Sequence, residues 1–212
     1  MKYKGIIFDL DGVICSTDHY HYLAWKALAD RLGVYFDETI NNRLRGVSRM
    51  ASLDIVLERA ERAYTAEEKA AFAEEKNETY RKLLKNMSPA DLSAEVKETL
   101  DALRARGLLL GIGSSSKNTK FILSQLGLGD YFDKISDGTN ITRSKPDPEV
   151  FLKAAEYLDL APADCLVVED AKAGIEAASA AGMESAALGD AAGCGLATYD
   201  LEQFSDLLRC VD

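Results

Sequence analysis

Positive charge is in short supply in this chain of 212 residues: 25 Lys and Arg stand against 35 Asp and Glu, a formal net charge of -10. Such a surface repels polyanions, so an extended basic face for nucleic acid or anionic lipid is excluded, and an anionic ligand has to be met by a local cluster of Lys and Arg. Long apolar runs are missing as well. No stretch approaches the roughly 18 residues of a membrane span. The first apolar run is short and is cut by Asp9, which spoils the core of a signal peptide. Cysteine is sparse: Cys15, Cys165, Cys194 and Cys210 show no CxxC spacing, and three of them lie in apolar surroundings that suit packed, reduced thiols. Repeats and low-complexity tracts are absent. These absences lead us to expect a soluble, unprocessed, cytoplasmic monomer with no nucleic-acid or membrane partner.

What is present is a hydrophobic content of 47% on a chain long enough for one full domain and a subdomain. Gly5, Ile6, Ile7 and Phe8 read as a short buried strand. Helical periodicity then takes over until about residue 86. His21, Trp25, Leu28 and Leu32 recur at three- and four-residue steps with Gly33 as a stop, Ser52 to Tyr64 forms a second amphipathic run, and Thr65 with Glu68 announces a third helix as a capping box. NMSPADLS at 86–93 breaks the block. From there strands and helices alternate: a helix closed by Gly107, the strand LLLGIG, a helix closed by Gly127, a helix over 148–158, the strand CLVV, a helix closed by Gly182, and the weaker strand ESAAL. Alternation of this kind predicts an α/β fold, a Rossmann-like doubly wound parallel sheet, with an all-helical cap inserted after its first strand. The expected boundaries are 1–15 with 92–212 for the core and 16–91 for the cap with its linkers.

Ligands of such sheets sit at the carboxyl ends of the strands, and those ends carry chemistry here. Asp9 and Asp11 follow the first strand two residues apart, so an extended backbone sends both side chains to one side, and Gly12 lets the chain turn. Ser114 to Asn118, Ser144 to Asp147, and Glu169 with Asp170 occupy three further loops. Carboxylates from two strand ends suit Mg²⁺, while Ser114 and Lys145 offer a hydroxyl and a point charge to phosphate oxygens. Phosphoryl transfer is the natural inference. Each stretch alone has a plainer reading: DLDG as a hairpin turn, GSSSKN and VVEDAKAG as helix caps, SKPDP as a turn into a helix. An EF-hand is excluded, because Gly12 comes too early and no Glu closes a 12-residue loop.

In order, FDLDGV, GSSSKN, SKPDP and VVEDAKAGIEAA resemble the four motifs of the haloacid dehalogenase superfamily across nearly the whole chain. The resemblance implies that Asp9 is the nucleophile that forms an aspartyl phosphate and that Asp11 is the general acid and base. It further implies one Mg²⁺ per chain, held by Asp9, Asp170, the backbone carbonyl of Asp11, and Glu169 as a ligand or its neighbour. In the helical block, DGVICSTDHYHYLAWKAL, RGVSR, Lys76 with Asn77, and SPAD resemble the beta-phosphoglucomutase family, whose members interconvert beta-glucose 1-phosphate and glucose 6-phosphate through a beta-glucose 1,6-bisphosphate. By that resemblance Arg49 holds the phosphate not being transferred, Trp25 and Ser52 line the sugar site, and Thr17, His21 and Lys76 couple cap closure to Asp11. The loop residues Arg45, Gly46, Val47 and Ser48 belong to the same substrate group, and Ser115, Ser116, Lys117 and Asn118 complete the contacts beside Ser114. Priming by beta-glucose 1,6-bisphosphate or another phosphoryl donor is implied as well. Arg45 stands where that family carries Lys, and Ala171 where Ser is common. Two other functions stay open: a sugar-phosphate or phosphoglycolate-type phosphatase using the same Asp9, and a non-catalytic protein that binds a phosphorylated metabolite. Intact Asp9, Asp11, Lys145 and Asp170 speak against the last.

Overall fold

Ile6, Ile7 and Phe8 are fully buried, and the strand they form, β1 (Gly5–Phe8), runs through the middle of a parallel sheet. The computed structural model describes residues 2–44 and 48–211. Two compact units are present, Met1–Ser16 with Ser88–Asp212, and Thr17–Met87. In the first, β2 (Leu109–Gly113), β3 (Lys134–Ser136), β4 (Cys165–Glu169), β5 (Glu184–Ala187) and β6 (Tyr199–Asp200) join β1 in the order β3-β2-β1-β4-β5-β6. Gly5 is aligned with Leu109 on one side and Cys165 on the other, and all pairs are parallel. The strand order reverses between β1 and β4, which makes their carboxyl ends the place where a crevice opens.

In the second unit, four helices follow one another: α1 (Asp18–Leu32), α2 (Glu38–Asn42), α3 (Arg49–Val56) and α4 (Ala66–Leu84). Gly33 ends α1 in the left-handed region at φ 69°, and its N–H returns to Ala29 and Asp30. Thr65 and Glu68 form the expected capping box at the head of α4. Trp25, Leu28, Phe36, Leu53, Val56 and Ala73 make this unit's own core.

The sheet is covered on both faces. Ile7 and Val167 pack under α7 (Glu149–Tyr157) and α8 (Lys172–Ala180) with Phe151, Ala154, Ala177 and Ala178. Side chains alternate along a strand. Phe8 therefore points the other way, where it stacks on Phe204 at 5.8 Å and meets Phe132 edge-on at 6.2 Å. The remaining helices are α5 (Ala94–Ala105), α6 (Thr119–Gln125) and a terminal turn, α9 (Leu207–Cys210). Among the described residues no helix is long and apolar enough to cross a membrane.

One boundary differs from expectation. The run read as a helix from Ser52 to Tyr64 starts earlier, at Arg49, because the Ser48 hydroxyl accepts the N–H of Ala51 at 3.3 Å and caps it. It ends in a short 3-10 turn, Leu57–Arg59. Beyond it Arg62 forks onto Glu68 of α4 at 3.1 and 2.6 Å and lies 4.1 Å over the Tyr64 ring, which fixes that segment as a connector. The helix α2 and the strands β3 and β6 were not foreseen.

Candidate active site

The Asp9 N–H makes the last ladder bond to Val168 at 2.9 Å, and the chain then turns. The N–H groups of Ile14 and Cys15 return to the Leu10 carbonyl, and that of Gly12 to Cys15. Asp11 thus lies in a tight loop rather than on the extended backbone that the spacing predicts. Beyond burial, the charges of both Asp9 and Asp11 raise the pKa of Asp170. Gly12 has φ 88°, a conformation other residues avoid, and a Cβ on it would overlap the Asp170 carboxylate.

From the loop between β3 and α7 (Glu149–Tyr157), Lys145 reaches into this group. Its ammonium lies 2.5 Å from Asp9 Oδ1 and 2.5 Å from Glu169 Oε1, with its side chain only 10% exposed, and it sits 4.7 Å over the Phe151 ring. Burial alone would lower the pKa of this lysine, but the carboxylates of Asp9 and Glu169 outweigh burial and raise it, so it stays charged. Glu169 turns back on itself, and its Oε2 accepts the N–H groups of Asp170 at 2.9 Å and Ala171 at 3.0 Å at the head of α8. Burial pushes Glu169 up, with Asp9 adding to the rise and Lys145 opposing it. Asp170 is pushed up to about 8, first by burial and then by Asp9, Glu169 and Asp11.

These acids form a donor set for a cation. Side-chain oxygens of Asp9, Glu169 and Asp170 all lie within 4.8 Å of one another. Three carboxyl groups beside Lys145 bring hard oxygen donors to one point, and the raised proton affinity of Glu169 and Asp170 marks a place that favours added positive charge, the chemistry that fits Mg²⁺. The side chain of Asp11 is not one of the three.

At the end of β2, Ser114 is buried and bonded through its N–H to the Ser136 carbonyl at 3.1 Å. Its hydroxyl accepts the Ser116 N–H, and the Ser116 hydroxyl accepts that of Asn118, each at 3.2 Å. Serine hydroxyls therefore shape this loop ahead of α6 (Thr119–Gln125), whose N-cap is Asn118 rather than a serine. The exception is Ser115, whose buried hydroxyl has no hydrogen-bond partner among the described residues. Lys117 is exposed and Asn118 buried.

In the helical unit, three residues that the resemblance grouped do come together. The Lys76 ammonium donates to His21 Nδ1 at 2.7 Å and lies over the rings of Trp25 at 4.8 Å and Tyr80 at 4.6 Å. His21 stacks on Tyr80 at 4.1 Å, and the Tyr80 hydroxyl donates to Thr17 at 2.9 Å. Burial, then the charges of Lys76 and Arg49, drives the His21 pKa well below its ordinary value, so the ring is neutral and accepts a hydrogen bond from Lys76. Arg49 donates to Asn77 at 3.0 Å and lies 3.9 Å from Glu74. Ser52 is buried on α3. Arg45, Gly46 and Val47 lie outside the described residues. Tyr80 was missed from the sequence, although it stands one helical turn after Lys76 and shares its face. Phe151 under Lys145 was missed as well; only its place in an apolar helix was readable.

A buried aspartate held by a buried lysine beside two further acids, at the switch point of a parallel sheet, is the arrangement of an α/β enzyme that handles phosphoryl groups. The chain belongs to the haloacid dehalogenase-like hydrolase family, whose model matches residues 3–182. Over 206 residues it is 42% identical to a beta-phosphoglucomutase of Bacillus subtilis, covering 96% of this chain and 91% of the relative. It is 35% identical over 187 residues to a fructose-1-phosphate phosphatase of Escherichia coli, covering 87% of this chain and 95% of that one. Among solved structures, a beta-phosphoglucomutase from Clostridium difficile superposes with a TM-score of 0.87 at 37% identity, over 97% of this chain and 93% of the other.

Proposed function

We propose that this chain is a phosphosugar mutase of the beta-phosphoglucomutase kind, an isomerase that interconverts beta-glucose 1-phosphate and glucose 6-phosphate. The observation that carries the reading is the Asp9 carboxylate gripped by Lys145 beside Glu169 and Asp170, in a chain similar over nearly its full length to the Bacillus subtilis mutase. Asp9 carries the phosphoryl group. The sugar's 6-hydroxyl attacks that phosphorus while Asp11 takes the hydroxyl proton, and the bond from phosphorus to the Asp9 oxygen breaks to give beta-glucose 1,6-bisphosphate. After the bisphosphate turns round, Asp9 attacks the phosphorus at C1, and Asp11 returns its proton to the departing C1 oxygen. Lys145 offsets the repulsion between carboxylate and phosphate, and Ser114 with the loop N–H groups orients the phosphoryl oxygens. Asp9, Glu169, Asp170 and the Asp11 carbonyl would hold Mg²⁺, which when bound supplies further neutralisation of charge on the phosphoryl group.

Arg49 is assigned to the phosphate that stays on the sugar. A distal phosphate gives a sugar phosphate binding energy that water lacks, so transfer to sugar outruns hydrolysis. A phosphatase reading has support in the Escherichia coli relative, and one assay separates the two. With beta-glucose 1-phosphate, a trace of the 1,6-bisphosphate and Mg²⁺, glucose 6-phosphate is expected to form much faster than free phosphate, and the alpha anomer to be nearly inert. Arg49→Ala should lose mutase turnover far more than hydrolysis of small esters, and Asp9→Asn should take up no phosphate. Free phosphate as the dominant product from every sugar tried would make the chain a phosphatase.

A further inference from the structure

Gly174 is the third residue of α8, inside a regular helix, where alanine is the better helix former. Its backbone is not in the left-handed region, so conformational freedom does not explain the glycine. Space does. A Cβ built on Gly174 would fall on the side chain of Glu169, against Oε1, the carboxyl carbon and Cγ. Oε1 is the oxygen that receives Lys145, and the other carboxylate oxygen takes the N–H groups of Asp170 and Ala171. The glycine face of α8 is therefore the seat on which the Glu169 carboxylate lies while it bridges the helix head to the lysine.

We propose that Gly174 is a positioning residue for phosphoryl transfer, acting through Glu169 to set the Lys145 ammonium against Asp9. The inference rests on the reading of Asp9 as nucleophile with Lys145 as its counter-charge. A methyl at position 174 forces the Glu169 carboxylate off its seat, and its bonds to Lys145 and to the two N–H groups cannot all survive. What moves is the end of a flexible side chain rather than backbone or packed core, so the fold tolerates the change and the chemistry does not. Gly12 stands against the Asp170 carboxylate in a similar way, but its φ of 88° confounds any substitution there, which leaves Gly174 as the clean test.

The experiment compares the wild type, Gly174→Ala, Glu169→Ala and the double variant by thermal unfolding and by hydrolysis of p-nitrophenyl phosphate, a probe that does not depend on which sugar is preferred. Gly174→Ala is expected to unfold cooperatively with a Tm lowered by no more than about 10 °C, the better helix former partly offsetting the buried bonds that Glu169 loses. Its kcat should fall by about 10²-fold, the scale for disturbing a preorganised charge at a transition state, with KM nearly unchanged. In the Glu169→Ala background the same substitution should cost no further kcat, because the group it displaces is gone. Full activity of Gly174→Ala, a variant already unfolded at the assay temperature, or a second loss of similar size in the double variant would each overturn the proposal. A wild type inert toward p-nitrophenyl phosphate and sugar phosphates alike would overturn the reading of Asp9 and this inference with it. A wild type that hydrolyses the probe but makes no glucose 6-phosphate would sink the mutase assignment alone, and the comparison of the four proteins would still decide the role of Gly174.

Discussion

Protonating His21 should unlock the helical unit, and the size of the effect follows from its surroundings. The ring is partly buried, stacks on Tyr80, accepts a hydrogen bond from Lys76 on Nδ1, and is held neutral by burial and by the charges of Lys76 and Arg49. In the unfolded chain the same imidazole titrates near 6.5. Because the folded pKa is the lower of the two, the unfolded state binds more protons as the pH falls below about 6.5, and stability is lost in that direction. From pH 7.5 to 5.5 the loss from this one group approaches about 1.4 kcal/mol, provided the folded ring stays neutral throughout. Trp25 is the chain's single tryptophan, it is 2% exposed, and Lys76 lies over its ring, so its fluorescence reports this unit. Urea unfolding followed at Trp25 should show the wild type losing about 1.4 kcal/mol more than His21→Gln over that interval; the glutamine can still accept from Lys76 but cannot take a proton. The carboxylates titrate equally in both proteins and cancel. Parallel pH profiles for the two would refute a neutral, partly buried His21.

Other consequences are open to direct measurement. Lys145→Met should lower kcat for sugar phosphates by about 10² to 10³, since it strips the counter-charge from Asp9 and Glu169, and an unchanged kcat would remove Lys145 from the transition state. Thr65→Ala should destabilise the helical unit by about 1 kcal/mol in the same urea assay, because the capping box at α4 loses its hydroxyl; a change of a few tenths would mean the cap contributes little. Stripping divalent cations with a chelator should stop turnover, and added Mg²⁺ should restore it, whereas turnover that persists would contradict a cation bound at Asp9, Glu169 and Asp170.

The features that could be read from the sequence are those written in adjacent residues. An apolar run ending in FDLDGV or in VVED announces a strand with acids at its carboxyl end, and Gly33 and the Thr65–Glu68 box mark helix termini through local hydrogen bonds. β3 and β6 escaped because three and two residues are too few for any periodicity to register, and they are strands only because β2 and β5 offer edges to them. The spacing of Asp9 and Asp11 predicts an extended backbone, where the chain instead makes a tight loop. Tyr80 and Gly174 depend on partners that only folding delivers: one on Thr17 and His21 from another helix, the other on the direction in which the Glu169 side chain turns back. A glycine inside a helix gives no hint of what rests on it.

The placement of β1 also bears on how the chain is made. Gly5 is aligned with Leu109 and Cys165, so during synthesis β1 finds its first neighbour only after the helical unit has been made and its second only when most of the chain has. At roughly 5–20 residues per second, an apolar GIIF segment waits on the order of ten seconds or more before both its edges are paired. In that interval the helical unit, whose contacts are local, can already be folding. Closure of the sheet around β1 is then a late event with a high contact order, and Asp9 at its end lacks Lys145, Glu169 and Asp170 until the later elements arrive. A chain released before β4 emerges would carry an exposed, sticky strand and no catalytic centre.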